Sequence, residues 1–323
     1  MTLLGGGASD PPAGASVNRL GRGTSECARA EGGGQPLGVR ELPARRVRGR
    51  HVRGRRVWET GCVALHTLTL GAQGSPIVFL HGLFGQGRNW QSVGKALADE
   101  HRIVMVDLPD HGRSAWTERF DYLEVARRVA EVVPTDGSAT VVGHSMGGKV
   151  AMLLALTRPD LVRRLVVSDM SPVRYAETPG GLARYPHALN AIDLSTLGSR
   201  AEAEELLAPV APDPAVRAFL LQNLRRDAAG EGWRWQANLP LLERDLPAIA
   251  DWPEDRLDGV APFGGPVLWV AGGRSSYVTE EYEPAMDRWF PNNRRLVIKD
   301  AGHWVHSEQP EIFTEAVRRF ARD

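Results

Sequence analysis

The sequence predicts an α/β protein: a mostly parallel central sheet with helices on both faces, interrupted by a helical cap. Three observations predict it. From about Cys62, short apolar, β-branched runs alternate with segments of helical periodicity, the pattern of strands buried on both faces by crossover helices. A serine set between glycines, in Gly143-His144-Ser145-Met146-Gly147-Gly148, stands where one such run passes into a helix. A long segment between the runs at Leu165 and Val267 contains no strand-like run and carries its apolar residues at helical spacing.

Taken in order, the first 58 residues differ from the rest. They hold twelve of the 35 glycines and eleven arginines against four acidic residues, a balance of +7. Leu37, Val39 and Leu42 are scattered with no core-facing period, so residues 1–58 are expected to be a disordered Gly/Arg-rich tail. The seven arginines between Arg45 and Arg56 could form an arm for an anionic surface. With only three lysines in the whole chain, a coding bias toward arginine makes a solvated tail the plainer reading.

Val63–Leu70 then alternates weakly, as a first edge strand or a hairpin does. Ile77-Val78-Phe79-Leu80, Ile103-Val104-Met105-Val106, Ala139-Thr140-Val141-Val142 and Leu165-Val166-Val167 read as buried strands, with helices at Asn89–Ala98, Tyr122–Val133 and Lys149–Leu156. Val267–Val270 and Arg295–Ile298 supply two more strands, and Glu311–Ala321 a closing helix. The α/β core therefore covers residues 59–173 and 260–323. Residues 174–259, with helical spacing at Arg200–Leu207, Ala215–Leu224 and Leu239–Ala250, form the cap.

The turn at Ser145 carries the chemistry. Glycines on either side let strand and helix approach closely, and the turn aims the serine side chain out of the sheet. A serine hydroxyl is a weak nucleophile and needs a base within hydrogen-bond reach. His303, in Asp300-Ala301-Gly302-His303-Trp304, follows the last strand, and the C-terminal strand ends of an open α/β sheet form one site. His81, His111, His144 and His306 are poorer candidates. Backbone donors for an oxyanion come from Met146 N–H, just past the serine, and from Leu83 N–H in the turn His81-Gly82-Leu83-Phe84-Gly85.

These two motifs, with Asp107-Leu108-Pro109-Asp110-His111-Gly112-Arg113-Ser114 and Gly302-His303-Trp304, together resemble the α/β-hydrolase superfamily across residues 62–323. The resemblance implies an α/β-hydrolase fold and a third residue, an acid to orient the histidine. In most of that superfamily the acid follows the seventh strand, where this chain has Ser275 in Gly272-Gly273-Arg274-Ser275-Ser276-Tyr277-Val278. In this the chain is similar to the YbfF-like esterases, in which the acid follows the preceding strand. That implies Asp169, in Val167-Ser168-Asp169-Met170, with Asp300 as the less favoured rival. Asp107 and Arg113 are read as organisers of their loop. Arg274 and Tyr277 stand equally for structure and for site lining. Trp233, Trp235, Phe219 and Leu220 are candidates for an acyl pocket, although residues at such spacings more often pack the core of the cap itself.

The expected activity is hydrolysis of esters or thioesters of small to medium acyl groups by a Ser145–His303–Asp169 triad through an acyl-enzyme. The same scaffold also supports C–C bond, amide or lactone cleavage, a cofactor-free oxygenase, or a non-catalytic ligand-binding protein. No metal or organic cofactor is implied, because the sequence shows neither a metal-ligand cluster nor a dinucleotide fingerprint. Beyond residue 58 the balance is −7, which argues against nucleic acid as the substrate. No run reaches the ~18 apolar residues of a membrane span. Two cysteines give no disulfide framework, consistent with a cytoplasmic setting.

Overall fold

Alternate residues of the apolar runs face opposite sides of one sheet and build two hydrophobic layers. Val78, Leu80, Val104, Val106, Val141, Leu165 and Val167 point to one layer; Ile77, Phe79, Ile103, Met105, Val142 and Val166 point to the other. The computed structural model describes residues 65–175, 181, 183–227, 230 and 232–322, with the backbone of three short strands upstream, all within one compact unit, Leu37–Asp323.

The strands, in chain order, are β1 Arg40–Glu41, β2 Arg50–Val52, β3 Arg55–Val57, β4 Thr67–Leu70, β5 Pro76–Leu80, β6 Arg102–Val106, β7 Ala139–His144, β8 Val162–Ser168, β9 Leu224–Arg226, β10 Trp233–Trp235, β11 Val267–Gly272 and β12 Asn293–Ile298. The main sheet runs β1-β4-β6-β5-β7-β8-β11-β12. From β6 to β12 every pairing is parallel, whereas β4 runs antiparallel to β6 and β1 antiparallel to β4. The edge strand expected over Val63–Leu70 is thus observed as β4, and its direction makes the sheet mostly parallel.

The helices are α1 Gln91–Leu97, α2 Tyr122–Ala130, α3 Met146–Thr157, α4 Arg184–Asn190, α5 Arg200–Leu207, α6 Pro214–Leu221, α7 Leu239–Arg244, α8 Leu246–Ala250, α9 Glu283–Trp289, α10 Val305–Glu308 and α11 Pro310–Arg322. Helix α3 is buried on every residue from Met146 to Leu156. Its position against the sheet explains why it is apolar on all sides. Helix α11, by contrast, buries only Phe313, Thr314, Val317, Phe320 and Ala321, which packs an amphipathic stripe on the opposite face.

Helices α4 to α8 lie within the segment read as a cap. Leu189, Leu207, Leu220 and Leu242 belong to the same apolar cluster as α3, so these helices share a core with the sheet. Polar ties reinforce the junction. Asn238 Nδ2 donates to Asp110 Oδ1 at 2.9 Å, Tyr122 OH to Ile249 O at 2.7 Å, and the buried Lys149 Nζ to Ala250 O and Asp251 O at 2.8 and 2.6 Å.

Three readings need correction. The segment read as free of strands contains the β9–β10 hairpin, where Trp233-Arg234-Trp235 is too short for its alternation to register against helical neighbours. The helix read over Leu239–Ala250 is two helices that break at Asp245, ahead of Pro247. The expected tail contributes β1, with Arg40 opposite Thr69 and Glu41 opposite Leu68, and a β2–β3 hairpin. An exposed edge such as β4 offers backbone groups that a chain of almost any composition can pair with. The remainder of residues 1–58 lies outside the described residues.

Candidate active site

Strand β7 ends at His144 and α3 begins at Met146, so Ser145 alone makes the turn between them. It does so at φ 54°, ψ −123°, a conformation few non-glycine residues adopt and one that stores strain at functional positions. The neighbouring glycines permit it. A Cβ on Gly143 would lie 2.2 Å from Gly147 O, and one on Gly147 would lie 2.4 Å from His81 O and 2.6 Å from Leu80 O. Ser145 N–H donates to Ser168 O at 3.1 Å, which pins the turn to the end of β8.

His303 reaches Ser145 from the loop after β12, with Nε2 2.9 Å from Ser145 Oγ. Its Nδ1 lies 2.7 Å from Asp169 Oδ2. An ionised carboxylate only accepts, so Asp169 fixes the proton on Nδ1 and leaves Nε2 as the acceptor for the serine hydroxyl. The Tyr277 ring stacks on His303 at 4.1 Å, and Gly302 N–H donates to Glu308 Oε2 at 2.8 Å. Arg274 Nη2 holds Glu308 Oε2 and Asp300 O, both at 2.9 Å, so the histidine loop is braced from below.

Asp169 immediately follows β8, is fully buried, and has φ 51°. Its Oδ1 accepts Gly272 N–H from the end of β11 at 2.9 Å. Ser275 Oγ–H makes a short hydrogen bond to Oδ2, the oxygen that also faces His303. Ser275, where most of the superfamily is expected to carry its acid, is therefore hydrogen-bonded to the carboxylate that faces His303. Asp300 is exposed and contributes only its carbonyl to Arg274, so it takes no part in orienting His303.

Three further histidines surround the site. Burial, then the nearby His303, lowers the pKa of His306 to about 3; burial, then His111, does the same for His81. His144 is also held well below the ordinary range, by burial and then by His306 and His303. These rings stay neutral and act as packing and hydrogen-bonding groups. His144 Nε2 donates to His303 O at 2.9 Å, and His81 Nε2 accepts Leu108 N–H at 3.0 Å. His306, in the short helix α10, packs its ring at a tilt against Trp90 with centroids 4.3 Å apart.

A Cβ on Gly82 would lie 3.1 Å from Ser145 Cβ, so the turn carrying Leu83 abuts the serine. Met146 N–H begins α3, where the first amides have no intrahelical acceptor. Among the described residues neither Leu83 N–H nor Met146 N–H has a backbone acceptor outside helices and strands. Two amides beside one nucleophile are the requirement for holding a tetrahedral oxyanion.

The space over Ser145 is lined by Leu83, Phe84, Tyr185, Val216, Phe219, Leu220 and Trp304 and encloses about 10 Å³, room for one water. Of the four apolar residues singled out in the cap, Phe219 and Leu220 line this space. Trp233 and Trp235 pack in the β9–β10 hairpin, Arg226 lying 4.0 Å over the Trp233 ring. Tyr185 and Val216 were not legible as lining residues, because only the fold of the cap turns them inward; Trp304 lines the space from the core, next to His303. Asp107 organises its loop, as expected: it accepts Gly87 N–H at 2.7 Å, Arg113 N–H at 2.8 Å and His66 Nδ1 at 3.0 Å.

Comparison with known proteins places the chain among hydrolases. Residues 75–310 match the family described as alpha/beta hydrolase fold. The chain is 38% identical to the sn-1-specific diacylglycerol lipase ABHD11 of Mus musculus, over 76% of this chain and 80% of that protein. It is 33% identical to esterase YbfF of Escherichia coli, over 77% of this chain and 94% of that one. Among solved structures a marine microorganism esterase superposes with a TM-score of 0.75 at 32% identity, covering 80% of this chain and 99% of that one. Among the described residues no helix is long and apolar enough to cross a membrane. The chain belongs to the α/β-hydrolase fold family, in its YbfF-like branch, as a carboxylesterase-like hydrolase.

Proposed function

We propose that the protein cleaves carboxylic esters or thioesters with Ser145 as nucleophile, His303 as general base and acid, and Asp169 as the orienting carboxylate. The observation that carries this reading is the hydrogen-bonded series Ser145 Oγ–His303 Nε2 at 2.9 Å and His303 Nδ1–Asp169 Oδ2 at 2.7 Å, set on a strained serine turn. Ser145 attacks the carbonyl carbon while His303 Nε2 takes its proton. The oxyanion is held by the Leu83 and Met146 amides. His303 protonates the departing alcohol or thiol, and the same ring then activates water to release the acid from the acyl-enzyme.

The apolar lining of the space over Ser145 favours a small to medium acyl group. Residues 59–173 and 260–323 act as the catalytic core and 174–259 as the cap that selects the acyl group. The acidic balance beyond residue 58 supports a small-molecule substrate rather than nucleic acid, and the low cysteine content supports a cytoplasmic setting. A fluorophosphonate probe tests the reading. Ser145 is expected to be labelled in the folded protein, and Ser145→Ala to lose both labelling and turnover of p-nitrophenyl butyrate. Wild-type turnover in Ser145→Ala would overturn it.

A further inference from the structure

Five arginines converge on the rim of the Ser145 pocket, and no step of ester hydrolysis uses them. Two come from the core. Gly87 N–H and Arg113 N–H bind the same Asp107 carboxylate, which places Arg88 and Arg113 beside one another. Two come from the cap hairpin, where Arg225 and Arg234 stand directly opposite each other across the β9–β10 ladder. The fifth, Arg200, donates from Nη1 to Leu221 O at 2.6 Å, next to the hairpin's start.

Hydrogen bonds between cap and core bring these groups together. Asn89 Nδ2 donates to Gln222 Oε1 at 2.9 Å, Gln86 Nε2 to Asn223 Oδ1 at 3.1 Å, and Asn223 Nδ2 to Phe84 O at 2.8 Å. Residues 86–89 and 222–225 therefore lie side by side. Phe84 and Leu220 line the space over Ser145, so this junction adjoins that space.

Like charges directly opposite in an antiparallel pair destabilise it. Several arginines elsewhere on this surface have a carboxylate partner, as in Arg127–Glu124, Arg217–Glu204 and Arg274–Glu308. Among the described residues no carboxylate lies within ion-pair distance of Arg88, Arg200, Arg225 or Arg234. Asp107, the acid that bears on Arg88, is buried and already accepts from His66, Gly87 and Arg113. Burial, and then the charges of Arg88, Arg200, Arg113 and Arg234, hold the Arg225 guanidinium below its ordinary value. An anion bound among these groups would relieve that repulsion.

We propose that the rim formed by Arg88, Arg113, Arg200, Arg225 and Arg234 is an anion-binding site, and that preferred substrates are esters carrying a phosphate on the leaving-group side. The inference rests on the esterase reading above. The closed apolar space beside Ser145 takes the acyl group, so the polar half of the ester faces the rim. Several guanidinium groups with planar forks of donors match a multivalent phosphate better than a single carboxylate.

The test compares kcat/KM for the butyryl ester of glycerol 3-phosphate with that for monobutyrylglycerol. The wild type is expected to prefer the phosphorylated ester by roughly tenfold or more, and inorganic pyrophosphate to inhibit competitively. Arg225→Gln and Arg88→Gln are each expected to lower the preference by roughly two- to fivefold, the size of an exposed ion pair, with turnover of the neutral ester unchanged. Arg225→Lys restores part of it. Equal kcat/KM for the two esters, or an equal loss on both esters in a variant of unchanged melting temperature, would overturn the proposal. Retention on phosphatidylglycerol vesicles through these arginines, without a preference between the soluble esters, overturns it in favour of a membrane surface. Absence of turnover on every ester by the wild type instead sinks the esterase reading.

Discussion

Asp169→Asn separates the acid assignment from its rivals most sharply. The carboxylate is fully buried and accepts three donors: His303 Nδ1–H, Gly272 N–H and Ser275 Oγ–H. An asparagine has one acceptor oxygen, so at least one of those donors faces an NH₂ group in either amide orientation. The imidazolium formed during catalysis also loses its counter-charge. With charge centres about 4 Å apart and an effective dielectric near 20, that attraction is about 4 kcal/mol, or roughly a thousandfold in rate. Displacement of the Nδ1 proton adds to it, so kcat for p-nitrophenyl butyrate is expected to fall by about 10³ to 10⁴. Ser275→Ala removes one hydrogen bond to the same oxygen and is expected to cost about 2 kcal/mol at most, a loss of up to roughly thirtyfold. Both variants are measured under saturating substrate with the melting temperature recorded alongside. Equal, mild losses in the two would refute the assignment of Asp169, and a large loss in Asp300→Asn would transfer the role to that residue.

Three more outcomes follow from the same contacts. Gly147→Ala places a methyl group 2.4 Å from His81 O and 2.6 Å from Leu80 O, against the backbone at the end of β5, and is expected to destabilise the fold by ~1–3 kcal/mol in urea unfolding; an unchanged midpoint would contradict the packing. Phe219→Ala opens the wall over Ser145 and is expected to raise kcat/KM for hexanoate over acetate esters by roughly tenfold, the transfer free energy of about two methylenes; no change in chain-length preference would place the acyl group elsewhere. Burial holds Lys149 down to about 7, with Asp251 opposing weakly. Above pH 7 the folded state sheds this proton while the unfolded chain keeps it. Stability from this group therefore rises with pH toward about 10, by at most ~1.4 kcal/mol per unit. Lys149→Met is expected to flatten that rise, and parallel stability curves from pH 6.5 to 9.5 for the two proteins would refute it.

What the sequence made legible was whatever local pattern and chain order determine. The strand before Ser145 and the helix after it are a β-branched run and an apolar run separated by one turn, and both formed as read. His303 was identifiable because it follows the last strand of a sheet whose strand ends share one edge. The cap was legible only as helical. Whether Phe219 or Trp235 faces the serine depends on how α6 and the hairpin dock on the sheet, and the spacing of residues within either element does not encode that. The arginine rim was invisible for the same reason: Arg88, Arg113, Arg200, Arg225 and Arg234 are far apart in sequence and meet only through bonds such as Asn223 to Phe84. Asp169 was reached by the absence of an acid at position 275 and by resemblance, not by periodicity.

The register of β8 and β11 explains why the acid can stand after either strand. The two are parallel neighbours with Val270 opposite Ser168, and Asp169 N–H donates to Val270 O at 2.9 Å. Their ends therefore open onto the same volume, and a side chain leaving either can reach one histidine nitrogen. An acid on β8 needs a donor where the other acid would have stood, and Ser275 supplies one. It also needs a backbone that turns sharply after the strand, which Asp169 provides at φ 51°. The two positions are thus coupled through a shared oxygen. Ser275→Asp would bring two carboxylates into one buried site, where they cannot both stay ionised. Paired with Asp169→Ser, the same substitution leaves a single carboxylate beside His303. The double variant is accordingly expected to recover part of the activity that Asp169→Ser alone loses, and a double variant as inactive as Asp169→Ser would show that the strand-end geometry of β8 is itself required.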